Sequence, residues 1–191
     1  MARCSGAFVS LLGITFLNEI CSNISNGIKP SYILEQLRNN VIDAIKHNSD
    51  EENIDNGMDI ALCVYDIKKQ RLQYSGANNS MYHVRNGVLT EYKPVRNPIG
   101  DYPSKKDFET LDVDIKSGDW IYLFSDGLAD QFWGDDQRKL KTGKFRELIR
   151  SISQDGANGL TQEKTLSNFL DTWRGDYPQM DDIMVGGYQI G

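Results

Sequence analysis

The sequence is poor in the residues that build soft metal centres. It has two histidines, His47 and His83, and three cysteines, Cys4, Cys21 and Cys63, none in a Cys-x-x-Cys spacing. An odd number of scattered thiols suits reduced cysteines in a cytosol. Zinc is left with few plausible ligands. A dense basic block is also missing: 27 acids outnumber 21 Lys and Arg, for a net charge of −6. Pairs such as Lys68-Lys69 and Lys105-Lys106 are too short to make a nucleic-acid surface. No apolar run reaches the roughly 20 residues of a membrane span. Internal repeats and inter-domain linkers are absent too, so 191 residues are expected to form one soluble domain, 1–191, with a single sizeable core.

The N-terminus carries an apolar run from Gly6 to Leu17, but Asn18-Glu19 closes it and no small-x-small cleavage pattern follows, against a signal peptide. It reads as a helix that is apolar almost all round and therefore buried. After the polar break at Asn23–Gly27, Pro30 suits the first turn of a second helix. Leu34, Leu37, Val41, Ala44 and Ile45 lie along one face of that helix, with His47 at its end. An acidic loop, His47–Asn53, follows.

From Met58 the apolar period changes from helical to alternating. Strands are expected at Met58–Asp66, Arg71–Gly76, Met81–Val84, Val88–Tyr92 and Phe108–Asp114. Asn86-Gly87 is a strong hairpin signal. Sequential hairpins predict an antiparallel meander. His83 reads as a structural or surface residue of its strand. Helices are expected from Leu128 to Phe132, around Phe145–Ile152, and from Thr161 to Trp173, with a last strand from Ile183 to Ile190. Asp135-Asp136 reads as a solvated loop. Strands, then helices, then one strand give α+β.

Two stretches stand out against this background. Ile121-Tyr122-Leu123-Phe124 is a short apolar strand that ends in Ser125-Asp126-Gly127. An unpaired carboxylate is costly in a core, so Asp126 is either a turn former or a ligand for something positive. Met180-Asp181-Asp182-Ile183 sets two more acids at the head of another strand. Carboxylates brought together from strand ends repel unless a cation sits between them. A metal held between Asp126 and the Asp181-Asp182 pair is therefore the leading reading.

At these residues the chain resembles the metal-dependent protein phosphatases, and within them the sporulation stage II E and stress-response regulator subgroup. The resemblance rests on Ser125–Asp130, Asp181-Asp182-Ile183, Tyr74–Asn79, Asn97-Pro98-Ile99-Gly100 and Gly6–Ser10. It implies an antiparallel β-sandwich flanked by helices in α-β-β-α layers. It also implies two Mn²⁺ or Mg²⁺ ions, with metal-bound water rather than a side chain as the attacking group, so that no residue is itself a nucleophile. Asp126 and Asp181 would be direct ligands, with Gly127 and Asp182 supporting them. Asp130, Asn78 and Asp59 are weaker candidates in matching segments.

Family members carry an Asp-x-x-Gly-His-Gly type motif just before the Gly-Ala that here is Gly6-Ala7, and its Asp bridges the metals. In this sequence no acid precedes Glu19, and the family's first strands are missing as well. The chain thus resembles the C-terminal three-quarters of such a domain. One metal or none is expected to bind tightly, turnover is expected to be weak, and an exposed sheet edge invites a homodimer. The expected partner is a phosphoprotein, an anti-sigma-factor antagonist being the family's habit, with no nucleic acid and no membrane, in the cytoplasm. A catalytically inactive pseudophosphatase acting as a binding module is the alternative.

Overall fold

The structure, a computed structural model, describes residues 6–24, 27–48, 57–133, 138–154 and 158–191. Its elements run α1 (Gly6–Ser22), α2 (Pro30–Asn48), β1 (Ile60–Asp66), β2 (Arg71–Ala77), β3 (Met81–Arg85), β4 (Val88–Tyr92), β5 (Leu111–Val113), β6 (Trp120–Phe124), α3 (Gly127–Asp130), β7 (Phe132–Trp133), β8 (Arg138–Lys139), α4 (Lys141–Ile152), α5 (Gly159–Arg174) and β9 (Val185–Gln189). Every strand pairing is antiparallel, in sheets ordered β1-β2-β5 and β4-β3-β6-β9 with a small β7-β8 ribbon. The expected α+β class is observed, with five helices and two principal sheets among the described residues.

The chain divides into two compact units, residues 1–80 with 93–115, and residues 81–92 with 116–191. In the first unit α2 lays Leu34, Leu37, Val41 and Ile45 into a core shared with Val9, Ala77, Ile99 and Phe108. In the second, Tyr82, Val84, Trp120 and Tyr122 of the sheet pack with Phe145, Leu148, Ile149 and Ile152 of α4.

Two expectations need correction. The strands do not form one meander, because the consecutive strands β2 and β3 lie in different sheets. Asn78 adopts the left-handed conformation at φ 57°, and the Asn79 amide turns back onto the Ala77 carbonyl at 2.7 Å, which ends β2. The first helix is not buried all round either. Val9 is buried and Phe16, Leu17 and Ile20 pack on the core, while Leu11 and Ile14 remain 62% and 60% exposed. A helix lying on one side of a core covers only one stripe of its surface. Strand β5 keeps only Leu111–Val113 of the longer run expected. The acidic loop after α2, the His47 side chain and Asp135-Asp136 lie outside the described residues. No helix among those described is long and apolar enough to cross a membrane.

Candidate metal centre

Register determines where the acids meet. Strand β6 pairs antiparallel with β9, Phe124 opposite Val185. The chain therefore leaves β6 at the same sheet end where it enters β9, and Asp126 and Asp181-Asp182 emerge there together. Ser125 locks the two segments. Its amide donates to the Met184 carbonyl at 3.0 Å. Its hydroxyl donates to the Asp182 carbonyl at 2.8 Å and accepts from the Met184 amide at 2.9 Å. The approach is so close that a Cβ on Gly127 would run into the Asp182 carbonyl, so the Asp-Gly pair is required by packing as well as by turn chemistry.

Further contacts hold the acid-bearing loop from behind. Gln131 is fully buried. It donates from Nε2 to the Pro178 carbonyl at 3.1 Å and accepts at Oε1 from the Met180 amide at 3.2 Å. Gln179 donates to the Asp181 carbonyl at 2.8 Å, and Asp181 Oδ1 accepts from the Asp182 amide at 2.7 Å. The side chains of Asp126, Asp181 and Asp182 are left exposed. Asp130 is differently placed. Its amide donates to the Asp126 carbonyl at 2.9 Å, closing the single turn of α3, and its carboxylate is held by Lys139 at 2.9 Å.

Asp59 and Asn78 belong to the other unit. Asn78 Nδ2 donates to Asp59 Oδ1 at 2.8 Å. The Tyr74–Asn79 segment around them has its own packing logic, because a Cβ on Gly76 would meet the Tyr74 hydroxyl, which donates to the Asn79 carbonyl. Asn97 of the Asn-Pro-Ile-Gly segment is buried and accepts from the Lys106 amide at 2.6 Å, while Ile99 exchanges backbone bonds of 2.9 and 3.0 Å with Met58.

As a donor set, the exposed carboxylates at the β6–β9 end fit a hard divalent cation in kind. In number they are few: among the described residues no group of three His, Cys, Asp or Glu side chains gathers closely enough to hold a metal ion.

A second polar cluster was not foreseen. His83 is buried, and its Nε2 meets Asp119 Oδ2 at 2.8 Å. Arg85 donates to the same carboxylate from Nε at 2.9 Å and Nη2 at 2.7 Å, and the Lys116 amide adds a bond of 2.7 Å. Burial alone would push the Asp119 carboxyl up, but Arg85, the Lys116 amide and His83 together outweigh it and hold it at about 2. The supporting roles of Ser125 and Gln131 were missed too. Ser125 was visible only as part of a motif, and Gln131 gave no signal because its partners are backbone atoms 47 and 49 positions away.

The mixed helix and antiparallel-sheet architecture is shared with PP2C-type phosphatase domains. The solved structures agree. The SiaA-PP2C domain of Pseudomonas aeruginosa superposes with a TM-score of 0.80 at 22% identity, over 97% of this chain and 69% of that one. The PP2C phosphatase domain of SpoIIE from Bacillus subtilis, with a fragment of its regulatory domain, gives 0.71 at 16% identity, over 96% and 50%. The catalytic domain of the serine/threonine protein phosphatase PstP, in complex with 2 manganese ions, gives 0.60 at 14% identity, over 93% and 78%. No curated protein sequence matches the chain. The Stage II sporulation protein E family model matches residues 5–188, and the chain belongs to that family.

Proposed function

We propose that the chain hydrolyses phosphoserine or phosphothreonine in a bacterial signalling protein in the cytoplasm, with an anti-sigma-factor antagonist as the candidate substrate. The observation that carries this reading is the Ser125 lock, which holds Asp126 and Asp181-Asp182 at one sheet end with their carboxylates exposed. Asp126 and Asp181 would hold a divalent cation, Mn²⁺ or Mg²⁺. Such a cation, when bound, polarises a phosphoryl oxygen and lowers the pKa of water. The chain's own contribution is positional. Ser125 and Gly127 fix the spacing of the two acid loops, and Gln131 keeps the 178–180 segment from drifting. Asp182 lends its amide to orient the Asp181 carboxylate.

The test is hydrolysis of p-nitrophenyl phosphate with Mn²⁺. Asp126→Asn is expected to lower turnover by about a hundredfold or more, since removing a metal-binding charge costs several kcal/mol of transition-state stabilisation. Unchanged turnover would remove Asp126 from the site. The few donors gathered among the described residues favour one rival, a phosphoprotein-binding module without turnover. That rival predicts Mn²⁺-independent binding and no hydrolysis in the unmodified chain. Self-association belongs to the proposal as well: β1 and β9 are edge strands of their sheets, and strand addition between two copies would be seen as a dimer in light scattering.

A further inference from the structure

A hollow of about 440 Å³ lies within the second unit, between α5 and the sheet. Leu166 and Leu170 of α5, Trp120 and Tyr122 of β6, and Val185 and Gly187 of β9 line it. The helix over it is only half covered: Gln162 alone in α5 is fully buried, and Leu166, Phe169, Leu170 and Trp173 are partly so. A helix lying on a sheet ordinarily seals its apolar stripe against it. Gly187 adds no side chain to the hollow, and a Cβ there would stand 3.1 Å from the Tyr122 ring.

Strand β9 beside the hollow is also a sheet edge. It pairs with β6 on one side, and no described strand pairs with it on the other. At its two ends the Met184 carbonyl accepts from the Ser125 amide, the Ile190 amide donates to the Asp119 carbonyl, and the Ile190 carbonyl accepts from the Gly118 amide, all on the β6 side. Backbone direction alternates along a strand, so Val185, Gly187 and Gln189 turn their amides and carbonyls to the open edge. The same strand leads straight from the acids. Ile183, next to Asp182, and Leu128, two residues after Asp126, both line the hollow.

We propose that an extended segment of the phosphoprotein substrate adds to β9 as an antiparallel strand and places one large apolar side chain in the hollow. The inference rests on the phosphatase reading and deepens it by naming what is recognised beside the phosphoserine. Free backbone groups on an edge call for an extended chain, and a pocket beside them selects one of its side chains. Glu163 is the one charged residue on the lining, which disfavours an acid there. Gly187 stands five residues beyond Asp182, about 16 Å along a strand. An antiparallel chain reaches the acids with its C-terminal end. The apolar residue therefore sits about five positions N-terminal to the phosphoserine.

The test uses fluorescein-labelled phosphoserine peptides with Leu, Ala or Glu at that position, and binding is read by fluorescence anisotropy. The Leu peptide binds about tenfold tighter than the Ala peptide, the scale of burying one large apolar side chain, and the Glu peptide binds weakest. Ser167→Trp, at an exposed position on the lining, plugs the hollow and abolishes the Leu advantage. Gln189→Pro removes an amide that faces the open edge, a change edge strands tolerate, and weakens all three peptides about fivefold, the scale of one hydrogen bond. Hydrolysis of p-nitrophenyl phosphate with Mn²⁺ stays at the level of the unmodified chain in both variants. Equal binding of the Leu and Ala peptides, or a Leu advantage that survives Ser167→Trp, overturns the proposal. So does a dimer in light scattering that Gln189→Pro dissolves, because a second copy would then hold the edge. If the Leu preference is found without Mn²⁺-dependent hydrolysis, the groove stands and the catalytic reading falls; hydrolysis without the preference gives the reverse.

Discussion

The two units handle polar groups in opposite ways. The first, residues 1–80 and 93–115, turns its polar machinery inward. Arg38 is fully buried beneath Phe108, its guanidinium carbon 4.5 Å from the ring centroid, and it ties α2 to the Lys106 carbonyl. Asp59, although exposed, is already engaged by the Asn78 side-chain amide. The second unit buries aromatic rings instead, with Tyr82–Phe124 and Phe124–Phe145 centroids 4.4 and 4.9 Å apart. It presents Asp126, Asp181 and Asp182 to solvent on backbone anchors. A cation arriving at the second unit meets ready carboxylates. At Asp59 it would compete with an existing hydrogen bond. What sets the Asp126 and Asp181 segments apart from the Asp59 turn is their backbone support, not their count of acids.

The largest expected effect attacks a charged cluster that the second unit buries. Asp119→Ala leaves Arg85 and His83 facing an empty position and should cost about 3–5 kcal/mol, the usual penalty for breaking a buried charge pair. Hydrogen exchange should show faster opening of β3, β6 and β9, with β2 unchanged. Equal loss in both units would mean that they unfold as one block and would break the comparison. The acid response follows the same group. Its folded pKa, about 2, lies below the roughly 3.9 of an unfolded Asp. The stabilisation is complete above pH 4 and is lost as the pH falls toward 2. Asp119→Asn should remove that part of the acid transition. Next in size is Leu37→Ala in the first unit. Leu37 is fully buried, and the cavity should cost about 3 kcal/mol, read as faster exchange in α2 and β2.

The legible parts of the chain were those in which local chemistry and tertiary role coincide. Pro30 starts α2, the Asn86-Gly87 turn carries φ values of 49° and 73°, and the apolar period placed α2, α4 and α5. The meeting of Asp126 with Asp181-Asp182 at one sheet end was legible because each stands at the end of an apolar strand run. The change of sheet between β2 and β3 was not, since a left-handed Asn78 looks like any Asn in a turn. The Asp119 cluster was hidden because its partners His83 and Arg85 lie 36 and 34 positions away. Nothing in the run Gly118-Asp119-Trp120 marks a carboxylate as buried.

A subtler variant sharpens the contrast at the proposed metal site. Gly127→Ala adds one carbon where the Asp182 carbonyl already sits. The neighbour is backbone, so the Asp181-Asp182 segment must move away from Asp126. Titration calorimetry should show Mn²⁺ binding weakened about tenfold, the scale on which supporting contacts tune metal affinity. Unaltered Mn²⁺ affinity would mean that the spacing set by Ser125 and Gly127 does not govern the site.

The smallest effect is expected at Asp59. Asn in its place keeps an oxygen to accept from Asn78 and removes only the charge. The position is exposed, so stability should stay within about 0.5 kcal/mol. If the carboxylates of the second unit hold the cation, Mn²⁺ affinity should fall no more than about threefold, a loss typical of an exposed charge acting at a distance. A loss as large as that of Asp126→Asn would instead make Asp59 a ligand. Its hydrogen bond to Asn78 would then be the interaction that a bound cation replaces, and the contrast between an acid already spent on a side-chain hydrogen bond and acids left for a cation would fail at that residue.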